Sequence, residues 1–91
     1  MQVHVYATLR PIVGGRDVEV SLPRDGTVMD LVRDMAKRWP ALAEHLLDEH
    51  GRLSRRVNVF VGGRNARWLD GEATRLDPGL RVDIFPPVAG G

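Results

Sequence analysis

The chain has 91 residues, enough for one domain with a modest core but not for an enclosed cofactor cavity. Thirteen Lys plus Arg against twelve Asp plus Glu give a net charge of +1, which supplies no strong attraction to nucleic acid or membranes. Cysteine is absent, which excludes disulfides, thiolate metal sites and cysteine nucleophiles. No apolar run approaches the ~20 residues of a membrane span, and the N-terminus lacks a signal-peptide pattern, so we expect a cytoplasmic protein.

The first two predicted elements are strands joined as a hairpin. Residues 2–9 and 16–22 alternate apolar with other side chains, which is typical of half-buried strands. Between them, Pro11 and the pair Gly14 and Gly15 indicate a turn. The side chains expected to face the core are those of Val3, Val5, Ala7, Val18, Val20 and Leu22.

The main helix is predicted to begin at Thr27 and to end near Trp39. Asp30 follows Thr27 at the spacing of a capping box, and Pro40 disfavours helical geometry at the residue before it. Residues 41–49 indicate a short second helix. One apolar stripe of the main helix faces the core and contains Val28, Leu31, Val32, Met35, Ala36 and Trp39.

The second half of the chain predicts two further strands. Residues 56–61 and 80–85 alternate apolar with polar side chains, and Gly62 and Gly63 mark a tight turn after the first of these strands. The order β-β-α-β-β indicates an α+β domain with a helix on one face of the sheet. A short polar return follows the glycine turn and includes Arg67 and Trp68.

The domain is expected to cover residues 1–85, with residues 86–91 as a flexible C-terminal tail. Pro86 and Pro87 cannot donate to a sheet ladder, so they end the last strand and keep the following chain extended.

The Gly91 carboxylate is the candidate reactive group of this tail. A free carboxylate is a poor electrophile, but its ester with AMP is a mixed anhydride with a good leaving group. Glycine has no Cβ atom, so such a backbone can enter a narrow channel in another protein's active site. The residues expected to be threaded behind Gly91 are Gly90, Ala89 and Val88.

No internal catalytic or metal site is visible in the sequence. His4, His45 and His50 do not share metal-ligand spacing, and both VGGR segments lack the lysine and hydroxyl of a phosphate loop. A nucleic-acid site would need interleaved aromatic residues and an excess of positive charge. An acidic protein partner or a solvated surface explains the arginines of the second half as well, namely Arg52, Arg55, Arg56, Arg64 and Arg67.

Three of the five aromatic residues occupy outward positions of predicted strands. Tyr6, Phe60 and Phe85 lie on the sheet face away from the helix if their strands are neighbours. An exposed aromatic patch commonly marks a protein interface. The alternative is that residues 63–76 cover one or two of these rings.

The chain resembles the MoaD/ThiS family of ubiquitin-like sulfur carriers over essentially its whole length. The resemblance implies the β-grasp fold, a mixed sheet of four or five strands with one main helix on one face. The segments that carry it are VHVYATLRPIVGG, GTVMDLV, RVNVFVGG, LDPG and, above all, the final FPPVAGG.

The resemblance also implies a function. An E1-like enzyme of the MoeB/ThiF type would adenylate Gly91 with ATP, and a sulfur donor would convert it to a thiocarboxylate. The chain would be a cosubstrate rather than an enzyme, with no bound cofactor, acting as a free shuttle or as the small subunit of a synthase. Its docking face would map to Phe85, Phe60 and Tyr6. The sulfur acceptor would be an enzyme such as the molybdopterin synthase large subunit or a cysteine synthase.

Two departures from the compact family pattern bear on the acceptor. The segment LDPGLRV stands where short members often carry an acidic L-x-D-G-D-E-V, and an insert runs through residues 65–68. Longer forms of this kind resemble carriers of cysteine biosynthesis. Two alternatives remain open at this point: a ubiquitin-like modifier that forms isopeptide bonds, and a β-grasp binding module with an inert tail.

Overall fold

A five-stranded mixed sheet carries the main helix on one face in the computed structural model, which describes residues 1–87. The strand order is β2-β1-β5-β3-β4, and β1 pairs parallel to β5 while the other neighbours are antiparallel. The predicted α+β class and the number of strands are therefore confirmed. The strands are β1 (Gln2–Val5), β2 (Asp17–Glu19), β3 (Asn58–Val61), β4 (Arg64–Asn65) and β5 (Val82–Phe85).

The first hairpin forms, but its first strand is shorter than the sequence predicts. A 3₁₀ turn over Ala7–Leu9 follows β1, and helix α1 (Arg10–Val13) then ends at Gly14, whose φ of 77° is readily adopted by glycine. The prediction that Ala7 faces the core is wrong, because its φ of 51° breaks the strand and leaves it exposed. Leu9 is buried instead.

The main helix, α2 (Val28–Arg38), confirms the predicted boundaries. The Oγ1 atom of Thr27 accepts a hydrogen bond from the Asp30 backbone N–H, and the Asp30 carboxylate accepts one from the Thr27 N–H in return. Pro40 ends α2 and occupies the first turn of α3 (Pro40–Leu46). Buried α2 residues are Val28, Met29, Leu31, Val32 and Met35, of which only Met29 lies outside the predicted stripe.

The strands of the second half are also shorter than their alternating patterns. Gly62 and Gly63 have φ of 58° and 82° and form the turn between β3 and the two-residue β4. The predicted polar return therefore leaves the sheet after Asn65 and continues as a 3₁₀ turn over Ala66–Trp68. A further 3₁₀ turn covers Gly71–Ala73 before β5.

The core lies between the sheet and the two longer helices. Its fully buried side chains include Val3, Val5 and Ile84 from the central strands and Leu31 and Met35 from α2. Burial of each such side chain stabilises the fold by about 1.5–3 kcal/mol relative to exposure. Within the described part of the chain, no helix is long and apolar enough to cross a membrane.

We predict that Thr27→Ala lowers the free energy of unfolding by about 1 kcal/mol, because it removes the side chain that caps α2. Urea unfolding followed by circular dichroism measures this change. Thr8→Ala, an exposed threonine in the first 3₁₀ turn, serves as the control. Equal stability of both variants would contradict a capping role for Thr27.

Candidate functional site

Three aromatic rings meet on the sheet face opposite α2, and we call this cluster of Tyr6, Phe60 and Phe85 the aromatic face. The Tyr6 and Phe85 rings stack with centroids 4.1 Å apart and planes 11° apart. The Phe60 ring meets Phe85 edge to face at 5.5 Å and 82°. All three side chains are half-buried, so residues 63–76 leave part of each ring accessible. The sequence prediction that these rings lie together is confirmed, while their role in docking stays a prediction.

A buried carboxylate fixes the Tyr6 ring of this face. The Tyr6 hydroxyl donates a 2.6 Å hydrogen bond to Asp83, which is 8% exposed. Arg81 Nε donates to both Asp83 oxygens at 3.1 Å, and its Nη2 donates to the Tyr6 hydroxyl at 3.2 Å. These bonds hold the phenol ring against Phe85, so the stack is ordered before any partner arrives.

The electrostatics of this network favour ionised Asp83. Burial opposes its ionisation, but the hydrogen bonds from Arg81 and Tyr6 outweigh burial and hold the pKa of Asp83 below its usual value. The same carboxylate raises the pKa of Arg81. Arg10 adds a second cation at the rim, because its guanidinium carbon lies 5.1 Å from the Tyr6 ring centroid.

The aromatic face borders an open depression of about 830 Å³. Pro86 and Pro87 line it directly after β5, so the chain leaves the sheet at this depression. A shallow, largely apolar surface with a few fixed polar groups suits a protein partner. Its other lining residues are Tyr6, Ala7, Thr8, Asn58, Phe60, Gly63, Arg81, Asp83 and Phe85.

The predicted reactive tail lies outside the described residues. The structure does not describe Val88, Ala89, Gly90 and Gly91, so the roles of these four residues stay predictions. The flexible tail over residues 86–91 also stays a prediction. Pro87, the last described residue, lines the depression beside the aromatic face.

Sequence reasoning missed the polar half of this site. In the alternating pattern of the last strand, Arg81 and Asp83 occupy ordinary outward positions. Arg10 lies between the end of the first predicted strand and the predicted turn. An acidic residue two positions from an Arg in an otherwise apolar strand is the only local signal. The contacts of Asp83 and Arg81 with Tyr6 join positions 77 and 75 residues apart and follow from the pairing of β1 with β5.

The histidines and arginines behave as surface groups. His4 pairs with Asp17 across the first hairpin, and no cluster of three potential metal ligands occurs within residues 1–87. Arg52 pairs with Glu72, and this bond holds the pKa of Glu72 below its usual value. Arg67 donates to the Arg55 carbonyl oxygen at 2.6 Å.

Comparison with known proteins places the chain among small carriers and modifiers. A family model described as the ThiS family matches residues 3–91. Small archaeal modifier protein 3 of Haloferax volcanii is 38% identical over 91 residues, covering 100% of this chain and 98% of that protein. Sulfur carrier protein CysO of Mycobacterium tuberculosis is 35% identical, covering 98% and 96%.

A solved complex gives the structural counterpart of these relatives. CysO in the Amycolatopsis orientalis BexX/CysO complex superposes with a TM-score of 0.80 at 30% identity, covering 99% of this chain and 98% of that one. The mixed sheet with α2 on one face is thus the predicted ubiquitin-like β-grasp. The relatives are named as carriers and modifiers rather than as enzymes.

We predict that Asp83→Asn lowers the free energy of unfolding by about 1 kcal/mol at pH 7, because the charged hydrogen bonds to Tyr6 and Arg81 are weakened. The folded-state pKa of Asp83 is depressed, so this stabilisation is complete above the unfolded value of about 3.9. It is lost as the pH falls through the lower folded-state pKa.

Urea unfolding of both proteins at pH 7 and at acidic pH measures this effect, and the difference between them should shrink on acidification. Asp77→Asn, at an exposed turn, is the matched control. A difference that is independent of pH would show that the ionised carboxylate does not stabilise the site.

Proposed function

This chain belongs to the ThiS family, and we propose that it acts as a sulfur carrier whose Gly91 carboxylate is converted to a thiocarboxylate. The observation that carries the proposal is the arrangement at the end of β5. An ordered aromatic face lies where the chain leaves the sheet, and the sequence continues from Pro87 to Gly90 and Gly91 within a few residues. A partner that binds the face is therefore close to the glycines.

The proposed chemistry has two steps. A Gly91 carboxylate oxygen attacks the α-phosphorus of ATP in an E1-like enzyme of the MoeB/ThiF type, and pyrophosphate leaves. A sulfide-class donor then attacks the carbonyl carbon of the acyl adenylate, and AMP leaves with the carboxylate oxygen. ATP belongs to the activating enzyme, and the chain itself binds no cofactor in this scheme.

The chain's own contribution is recognition and positioning. Binding energy from the aromatic face holds the tail in the enzyme, which offsets the entropy lost when the reacting group is fixed. Tyr6 is already ordered by Asp83, so less conformational entropy is lost on binding.

The acceptor that we favour is an enzyme of cysteine biosynthesis, such as a cysteine synthase. The supporting observation is the similarity to CysO over 96% of that carrier, together with the inserted segment at residues 65–68. A molybdopterin synthase large subunit is the competing acceptor. The complex of a related CysO with BexX supports the idea that carriers of this shape bind a partner enzyme.

We predict that the purified chain gains the mass difference between sulfur and oxygen when it is incubated with an E1-like activating enzyme, ATP and sulfide. Intact mass spectrometry measures the shift, and fragmentation should localise it to Gly91. Deletion of Gly91 should abolish the shift, whereas Lys37→Arg should leave it unchanged. Absence of any shift in the wild-type chain would argue for a binding module with an inert tail.

A second candidate function is protein modification, supported by the 38% identity to a small archaeal modifier over the whole chain. In that case a lysine amine, rather than sulfide, attacks the acyl adenylate and AMP leaves. Lys37 is the only lysine of this chain, so the acceptor lysines lie mainly on other proteins.

We predict a defined signature for such conjugates. Trypsin cleaves after Arg81, so a modified lysine would carry residues 82–91 as a branch. Mass spectrometry of host-cell digests detects this branch, and a strain expressing the Gly91 deletion is the control. Branched peptides in the wild-type strain alone would establish the modifier function, and their absence alongside a thiocarboxylate would leave sulfur transfer as the sole function.

A further inference from the structure

The strongest apolar feature outside the aromatic face is Trp68. Its side chain is 80% exposed, and Leu69 beside it is 36% exposed; within residues 1–87 these are the exposed large hydrophobic residues. Trp is depleted at solvent-exposed surfaces and enriched in the centre of protein interfaces. An exposed Trp next to an exposed Leu is therefore typical of a binding surface.

The segment that presents Trp68 is rigidly held. Asn65 Oδ1 accepts a hydrogen bond from the Arg67 N–H at 3.0 Å, and Asn65 Nδ2 donates to Asn58 on β3 at 3.0 Å. The Leu69 N–H donates to the Ala66 carbonyl at 2.9 Å, and Ala66 is buried. The chain thus fixes the backbone on both sides of Trp68 while leaving its ring in solvent, which is the arrangement of a preorganised anchor.

Trp68 borders a depression of about 510 Å³ that adjoins the aromatic face. Phe60 and Gly63 line both depressions, so the two areas are contiguous. We call this second area the Trp68 surface. Its lining residues are Phe60, Gly63, Arg64, Asn65, Trp68 and Leu69.

The charge of the Trp68 surface is positive. Arg64 is the one formally charged residue that lines this surface. Its side chain is exposed and forms no ion pair with another residue in the 1–87 range. On the aromatic face, Arg10 and Arg81 accompany a single carboxylate, Asp83. The combined area carries three arginines against one acid, so its complement is apolar and acidic.

We propose that Trp68, Leu69 and Arg64 form a second contact for the activating enzyme, which offers an apolar pocket for the indole and a carboxylate for the guanidinium. This inference rests on the proposed function. A single exposed Trp among the described aromatic residues does not make a stacking platform for nucleic acid, which needs successive rings and a larger excess of charge.

The activation step explains why a contact made by residues that do not react is useful. Adenylation brings the Gly91 carboxylate against the negatively charged phosphates of ATP, so the two reactants repel each other. Binding energy from parts of a substrate that do not react is retained equally in the bound complex and in the transition state, so it offsets this repulsion by lowering KM. The Trp68 surface supplies this energy next to the face from which the tail departs.

The test is steady-state adenylation of the full chain by the host's E1-like enzyme, and the release of pyrophosphate measures its rate. We expect Trp68→Ala to raise KM about 10-fold or more with kcat nearly unchanged, as for loss of an interface anchor. Trp68→Phe should restore most of the affinity. Arg64→Glu should raise KM more at low salt than at high salt. Lys37→Ala, exposed on the opposite side of the sheet, should have no effect.

Each outcome decides the inference. If the wild-type chain is adenylated and Trp68→Ala has an unchanged KM, the inference is overturned and the proposed function stays intact. A variant that loses only kcat has the same consequence. Absence of adenylation in the wild-type chain removes the proposed function and this inference together. Sedimentation of the wild type and of Trp68→Ala tests for a second copy as the occupant, and a dimer lost in the variant overturns the assignment to the enzyme.

Discussion

The parallel pairing of β1 with β5 is the constraint on which the rest of the structure depends. It joins the two ends of the chain at the centre of the sheet and sets Val5 beside Ile84 on the core face. A parallel pair needs a crossover connection, and α2 within that connection covers one face of the sheet. The same register brings Tyr6 to Asp83 and Phe85 on the other face. A slip of one residue would exchange the two faces, so the core enforces the geometry of the aromatic face.

The separation of the two faces also separates stability from recognition. Side chains of Leu31 and Met35 pack against one side of the sheet, and the Tyr6–Phe85 stack occupies the other. Substitutions on the aromatic face therefore leave the packing of the core in place. Asp83 is the exception, because it is buried and yet belongs to the recognition side. The hydrogen bonds of Asp83 therefore contribute modestly to the free energy of folding and also order the Tyr6 ring.

Local signals predicted the elements that depend on local physics. The stripe and cap of α2 lie within one segment, so both its ends and its buried face follow from the sequence. The end of β1 does not, because the alternation continues through Ala7 and nothing in its residue type indicates a positive φ. The ties of Asp83 and Arg81 to Tyr6 depend on strands that are distant in sequence, and alternation shows which side chains share a face but not which strands are neighbours. The sequence places Trp68 in the polar return but does not predict its exposure. That exposure follows from the 3₁₀ turn that replaces a longer return strand.

A carrier must bind one protein tightly enough to react and then leave it for the next. If every partner used the same aromatic face, as the proposed function implies, their affinities would be similar, because shared anchors alone cannot discriminate between partners. An adjoining surface that only some partners use resolves this conflict, because it adds affinity at one step without slowing release at another. The Trp68 surface has the necessary properties, because it is contiguous with the aromatic face through Phe60 and has its own rigid support. Under the proposed function, discrimination between partners would therefore lie in the inserted segment, while the aromatic face and the tail would be common to all of them.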